Sequence, residues 1–198
     1  TFIFCSLCKN TDNQQFTLID NGKIELGFNK YNGTFAVFRD LINSRDLLNR
    51  NLNGRSLWEI DLLDRSGDHK LDMRTPSKFH YFMKDSLTLI MTWGHFSGID
   101  NKDLKIKTVI KLETKEPLSS WKISVEGIRN EKLKKVVFPK ITGLNDLSEG
   151  YMAVPVWMGQ IMKDPKRHLQ MITDKERKYE WNYPGSFSMQ CMALYNSQ

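Results

Sequence analysis

The sequence has little of what the commonest structural and functional signatures require. Its 198 residues include only three cysteines, and Cys191 lies far in sequence from Cys5 and Cys8, so no disulfide framework follows. Cys5 and Cys8 have the C-x-x-C spacing but lack a second cysteine pair for zinc and the βαβ context of a redox site. No segment approaches the roughly 18 apolar residues of a membrane-spanning helix, so the protein is predicted not to span a membrane.

Sequence motifs of catalysis and cofactor binding are also missing. There is no Gly-rich phosphate loop, no H-E-x-x-H, no G-x-S-x-G and no dinucleotide fingerprint. The sequence therefore predicts no cofactor and no catalytic residue. Two oxygen-rich turns, at Asp64 with Asp68 and at Asp100 to Asp103, could hold calcium, but ordinary turn chemistry explains both, so no metal is predicted.

Positive charge exceeds negative charge, with a net charge of +6 and a pI near 9.2. An excess of this kind is compatible with nucleic-acid binding when the cations form one patch. Here the lysines fall on outward strand positions or are scattered through turns, and no recognition helix, zinc-finger spacing or aromatic RNA-binding motif accompanies them. The expected outcome is a solvated surface and no nucleic-acid partner.

A strong β pattern occupies the segment from Leu104 to Gly127. Apolar residues and Thr108 alternate with Lys and Glu up to Leu112, and the alternation restarts at Trp121 after a turn that contains Pro117. This pattern predicts a long antiparallel hairpin with one wet face, and Trp121 is expected on the inner face. Because two strands cannot cover their own apolar row, a facing sheet is required.

Similar patterns recur along the rest of the chain, with turns at Asn21-Gly22, at Asn32-Gly33 and around Gly67. Strands are expected at 16–20, 22–28, 34–42, 57–63, 78–84, 86–93, 134–141, 151–157 and 186–195. With the hairpin, this gives an all-β fold, a large antiparallel β-sandwich of about eleven or twelve strands with few short helical turns. A polar loop at 43–56 is expected to hold one such turn at 45–49. Residues 1–15 are expected to form a tail and 16–198 a single β-sandwich domain.

Aromatic residues gather in the C-terminal quarter, close to charged side chains. Rings can stack on the apolar face of a pyranose while Arg, Glu and His bind its hydroxyls. The alternative is that the rings pack in the sandwich or against a neighbouring domain. The predicted carbohydrate or interdomain contact residues are Trp157, Arg167, His168, Glu180, Trp181 and Tyr183.

Two segments resemble a known group of domains. The segment Asp20 to Thr34, DNGKIELGFNKYNGT, is similar to the start of N-terminal sandwich domains in large bacterial glycoside hydrolases. The segment Tyr183 to Gln190, YPGSFSMQ, looks like the last part of such domains. They are related to the galactose mutarotase supersandwich and precede a (β/α)₈ catalytic barrel. The likeness spans about Asp20 to Tyr195 and rests on turn-and-strand patterns.

This resemblance implies a non-catalytic N-terminal domain of a carbohydrate-active glycoside hydrolase. Such a domain would brace the catalytic barrel of the same polypeptide and contribute to carbohydrate binding, while the catalytic carboxylates sit on the barrel. Two alternatives stay open: an aldose 1-epimerase of the mutarotase type, and a stand-alone carbohydrate-binding or adhesion module. Candidate acid–base groups for the epimerase are His80, His95, His168 and Glu180, although the His and Glu pair of true mutarotases has no match here.

The N-terminal tail bears on localisation. The apolar run from Phe2 to Leu7, followed by Cys8 and a polar stretch, looks like the end of a bacterial lipoprotein signal that leads into a tether. Leu7 departs from a good processing site, and a frayed terminus is the alternative. The expectation is a bacterial cell-envelope protein, periplasmic or extracellular, with a lipid anchor as one option.

Overall fold

The computed structural model describes residues 15–49, 56–145, 150–156, 158–165, 183–185 and 187–196. These residues form four antiparallel sheets, which we name A to D. The strands are β1 (Phe16–Asp20), β2 (Ile24–Asn29), β3 (Phe35–Asp40), β4 (Arg45–Asp46), β5 (Glu59–Asp64), β6 (Gly67–Asp72), β7 (Pro76–Asp85), β8 (Thr88–Phe96), β9 (Lys105–Leu112), β10 (Ser119–Glu126), β11 (Lys132–Val137), β12 (Gly150–Val154), β13 (Gln160–Lys163) and β14 (Ala193–Asn196). The protein is an all-β sandwich, as its sequence predicts.

The sheets divide between two compact units of the chain. The first unit ends at Leu144 and contains sheet A (β1-β2-β3-β4), sheet B (β10-β9-β8-β7) and sheet C (β11-β5-β6). The second unit begins at Asn145 and contains sheet D (β13-β12-β14). A single domain over 16–198 stays a prediction.

The predicted hairpin forms the β9 and β10 strands of sheet B. Trp121 lies opposite Ile110, and Ile123 lies opposite Thr108, so the apolar side chains of both strands share the inner face. The neighbouring strand β8 adds Trp93, which lies opposite Ile106 and is fully buried. The register inferred from the alternation is therefore confirmed.

Sheets A and C supply the facing layer of the sandwich. The Trp121 ring lies 5.8 Å from Phe28 and 5.2 Å from Phe35 of sheet A, measured between ring centroids. Trp58, which precedes β5 of sheet C, contacts Trp93 of sheet B edge to face at 5.6 Å. Since large aromatics dominate core energetics, these contacts hold the two layers together.

One glycine is required by this packing. Gly33 has a φ of +78°, and a Cβ at this position would lie 2.5 Å from Cζ2 of Trp93. The preceding Asn32 accepts a hydrogen bond from Nε1 of Trp93 through its carbonyl oxygen, at 2.8 Å. The turn predicted at Asn32-Gly33 thus closes directly over the core, and any side chain at position 33 would displace the indole.

Two segments differ from the expected pattern. The helical turn expected at 45–49 is wrong, because Arg45 and Asp46 pair with β3 as a short fourth strand of sheet A. The Arg39 guanidinium holds that strand through a 3.0 Å hydrogen bond from Nε to Asp46. Strands β6 and β13 were not expected either, so the fourteen strands among the described residues exceed the predicted eleven or twelve.

Candidate functional site

Most of the contact residues predicted in the C-terminal quarter lie outside the described residues. These are Trp157, Arg167, His168, Glu180 and Trp181. Tyr183 is described, and it lies in a turn with half of its side chain exposed. The role of these residues in carbohydrate or interdomain contact therefore stays a prediction.

Sheet D, in the same part of the chain, exposes much apolar surface. The rings of Tyr151 on β12 and Tyr195 on β14 stack with their centroids 5.8 Å apart. Ile161 of β13 lies opposite Ala153, on the face that carries the two tyrosines, and is 68% exposed. Met158 and Met192 are also exposed. Such clustering is typical of a contact surface.

A polar depression of about 600 Å³ lies on the outward face of sheet C. In β5 the residues Ile60 and Leu62 are buried, so the alternation turns Glu59 and Asp61 outward. The lining consists of acidic, basic and small apolar side chains: Glu59, Asp61, Lys70, Leu71, Asp72, Arg74, Thr75, Lys135 and Val137. This surface is the strongest candidate site in the part of the chain that the structure describes.

The register of sheet C sets acidic and basic groups in rows across the depression. Asp61 of β5 lies between Lys135 of β11 and Lys70 of β6. One row further along, Glu59 lies between Val137 and Asp72. Directly opposed residues have Cβ atoms about 5 Å apart, so in the row of Asp61 a carboxylate lies between two ammonium groups within the width of one sugar unit.

The two facing carboxylates, Glu59 and Asp72, are each neutralised by a separate cation. Nζ of Lys140 contacts Glu59, and the backbone N–H of Lys140 donates to the Leu57 carbonyl at 2.8 Å, which holds the lysine beside β5. Arg74 binds Asp72 through Nε at 2.9 Å and through its own backbone N–H at 2.8 Å. Hydrogen bonding from Arg74 lowers the pKa of Asp72, so this carboxylate stays ionised at neutral pH.

A tight turn after β6 fixes the Arg74 guanidinium over the depression. The Asp72 carbonyl accepts hydrogen bonds from the Thr75 hydroxyl at 2.7 Å and from the Thr75 N–H at 3.1 Å. Within this turn Met73 is buried and donates its N–H to Ser56 Oγ at 3.2 Å. Because the turn is anchored in the core, the charged lining does not depend on a free loop.

A Ser-His-Asp cluster occurs at the β5–β6 turn but lacks the geometry of a catalytic triad. Nε2 of His69 lies 3.0 Å from Ser66 Oγ and 2.9 Å from Asp64 Oδ1, while Ser66 Oγ donates to the same Oδ1 at 2.6 Å. A triad needs the carboxylate on one ring nitrogen and the serine on the other. The hydrogen bonds from Ser66 and His69 lower the pKa of Asp64 to about 2, which is consistent with a turn cap.

The histidines proposed for an epimerase do not form an acid–base pair in the described part of the chain. His80 lies opposite Thr92, and His95 lies three residues further along β8, so their Cα atoms are about 10 Å apart. His80 is exposed, and His95 has a φ of 57°. His168 and Glu180 lie outside the described residues.

In the two turns considered for calcium, three carboxylates are engaged elsewhere. Asp103 pairs with Arg129, and Asn101 donates to the Gly127 carbonyl at 2.8 Å. Asp68 pairs with Lys134 at 2.8 Å, and Asp64 is bound within its own turn. Within the described ranges no group of three or more His, Cys, Asp or Glu residues is placed to hold a metal ion.

The sequence did contain a signal for the missed half of this site. Leu71 and Met73 alternate with Lys70, Asp72 and Arg74, which is a strand pattern that follows directly from the predicted turn at Gly67. With β6 assigned, a two-residue turn would have placed Glu59 opposite Asp72.

Comparison with known proteins adds no relative. No family model matches the sequence, and the curated proteins contain no significant match to it. Among the helices in the described segments, none has the length and apolar character to cross a membrane.

Proposed function

We propose that this chain is a non-catalytic N-terminal β-sandwich domain of a carbohydrate-active glycoside hydrolase, and that it binds a neutral carbohydrate in the depression on sheet C. The observation that carries the proposal is the row of Lys135, Asp61 and Lys70 on this open surface, in which a carboxylate lies between two cations. Its support from sequence is the resemblance of the segments at 20–34 and 183–190 to domains of this kind.

The lining matches the chemistry of a polyhydroxylated ligand. Each sugar hydroxyl donates one hydrogen bond and accepts others, and charged partners make these bonds stronger than neutral ones. Asp61 supplies acceptors while Lys70 and Arg74 supply donors. The acidic and basic groups of the depression are nearly balanced, so a neutral ligand is favoured over an ionic one.

A binding role suits these carboxylates better than catalysis does. A glycosidase of the usual kind needs a general acid whose pKa is raised so that it keeps its proton at neutral pH. Asp72 has the opposite shift, because Arg74 stabilises its ionised form. A carboxylate held ionised in this way can orient a sugar but does not protonate a leaving group.

The bracing role is proposed for the second unit. Its exposed apolar residues, among them Ile161, Met192 and Tyr195, would be covered by the catalytic barrel that the resemblance implies. The free chain should then bind a hydrophobic dye, and Ile161→Ser should reduce the dye signal. An unchanged signal would contradict this part of the proposal.

Calorimetric titration with malto-, cello- and xylo-oligosaccharides tests the binding proposal. Asp61→Asn should weaken the binding of whichever sugar binds by tenfold or more, which corresponds to about 1.4 kcal/mol. Asp68→Asn is the matched control, since Asp68 lies on the same sheet, pairs with Lys134 and does not line the depression. Failure of all three sugar series to bind, or equal losses in both variants, would refute the proposal.

A further inference from the structure

Sheet B presents a second charged surface, on the side away from the core. Its outward positions carry the lysines Lys78, Lys105, Lys107, Lys111 and Lys122, which we call the basic face. Glu126, opposite Lys105, is a carboxylate at an outward position inside these strands. These five lysines therefore share one surface, whereas the sequence pattern predicts no single basic patch.

Several of these cations have no internal partner. Lys107 and Lys111 lie 3.8 Å and 3.6 Å from Glu126 and Glu113 respectively. Lys78, Lys105 and Lys122 form no ion pair with any residue that the structure describes. Unpaired like charges on one face repel each other, and an external polyanion would relieve that repulsion.

An apolar row crosses the middle of the basic face. The row begins at Phe82 of β7, which lies opposite Ile90 of β8. Ile90 lies opposite Val109 of β9, and Val109 lies opposite Lys122 of β10. The Phe82 side chain is 55% exposed, whereas Ile90 is buried. Lys122 ends the row three strands from Phe82, about 14 Å away, so one ligand chain that crosses the face can reach both the exposed ring and the lysine.

The dimensions of the face fit an extended polymer. Lys105, Lys107 and Lys111 occupy outward positions of β9 over about 20 Å, at a rise of about 3.4 Å per residue. Single-stranded nucleic acids, in contrast, bind on several aromatic platforms, one for each successive base. The aromatic rings at outward positions of sheet B, Phe82 and His80, both lie on the edge strand β7 and do not continue across the face, so the face favours a charged glycan over a nucleic acid.

We propose that the basic face binds an acidic polysaccharide, one with a carboxylate or sulfate on its repeating sugar units. The ammonium groups of Lys105 and Lys122 pair with the anionic groups of the polymer, and Phe82 packs against a sugar ring. This site is separate from the depression on sheet C, so it does not depend on the proposed neutral-sugar site.

Binding of polygalacturonate to the full chain tests the proposal, with a neutral glucan of equal length as the reference. The double variant Lys105→Gln/Lys122→Gln should lose affinity for polygalacturonate by tenfold or more. The matched control, Lys102→Gln/Lys132→Gln, removes the same charge from exposed positions off this face and should lose less than threefold. Urea unfolding of both variants checks that each is folded.

Three results would overturn the proposal: no binding of polygalacturonate, equal losses in the two double variants, or tighter binding of single-stranded DNA than of polygalacturonate. Asp61→Asn separates this site from the one on sheet C. It should leave polygalacturonate binding intact, and a tenfold loss in that variant would place the polymer in the depression instead.

Discussion

Glu59 on β5 and Asp72 on β6 lie directly opposite each other across sheet C, and each carboxylate is held by its own cation. Like charges in that position normally destabilise a sheet. Lys140 and Arg74 remove the repulsion, and the result is a depression lined by ionised groups. The proposed sugar site depends on this arrangement.

Removal of one cation should change the protonation of the facing acid. In Arg74→Met the pKa of Asp72 should rise, because the guanidinium that stabilises its ionised form is lost. An NMR pH titration of the Asp72 side chain measures this directly. Since Arg74 is largely exposed, the free energy of unfolding should change little. An unchanged Asp72 pKa would contradict the described ion pair.

Acid sensitivity should depend on the turn between β5 and β6. Hydrogen bonds from Ser66 and His69 lower the pKa of Asp64 from 3.8 to about 2. The folded-state pKa lies below the unfolded value, so ionised Asp64 stabilises the fold above about pH 4, and this contribution is lost as the pH falls towards about 2. Asp64→Asn should flatten the pH dependence of urea unfolding in that interval. Identical pH profiles for both proteins would show that the turn contacts do not favour the ionised form.

Removal of one buried hydroxyl in the core should increase the stability of the fold. Thr108 on β9 is fully buried, and its Oγ1 has no hydrogen-bond partner in the described part of the chain. Thr108→Val keeps the shape and removes the unsatisfied group, so the free energy of unfolding should rise by about 1 kcal/mol. Thr92→Val, at an outward position of β8, is the control and should change stability by less than about 0.5 kcal/mol. A loss of stability in Thr108→Val would mean that the hydroxyl has a partner.

Trp121 should contribute more to the stability of the fold than its partial exposure suggests. Its ring lies among Phe28, Phe35 and Phe138, and it links sheets A and B. Trp121 lies on the predicted inner face but is only partly buried, because β10 is an edge strand of sheet B. Trp121→Ala should therefore lower the free energy of unfolding by about 2–3 kcal/mol, just under the range for a fully buried aromatic. The outward neighbour Lys122→Ala should have little effect, and a Trp121→Ala loss below about 1 kcal/mol would contradict the packing.

The fold was predictable wherever strands have one wet and one dry face. Alternation alone places Trp121 opposite Ile110 and assigns the strands of the hairpin, since a register shift of one residue would expose the whole apolar row. The turn at Asn21-Gly22 was equally predictable, because the Asn-Gly dipeptide favours a turn with positive φ. Gly22 has a φ of 77°, which glycine adopts without strain. Such local signals need no knowledge of distant contacts.

The site was not predictable in the same way. Glu59 and Asp72 meet only because β6 pairs with β5, and Lys140 reaches Glu59 from beyond β11. Charged residues on outward positions look like ordinary solvated surface until the register of three strands is known. The density of aromatic residues instead predicts a site in the C-terminal quarter. Most of the residues named there lie outside the described ranges.

The most direct test of the central claim is a map of backbone amide chemical shifts during titration with the oligosaccharide that binds best in calorimetry. Binding in the depression should shift the amide signals of residues 59–61, 70–75 and 135–137. The amide signals of sheet B should stay unchanged. The same titration of Asp61→Asn should produce shifts only at sugar concentrations tenfold higher or more. If the shifts instead cluster on sheet B or in the second unit, or if none occurs, the claim that sheet C carries the sugar site is wrong.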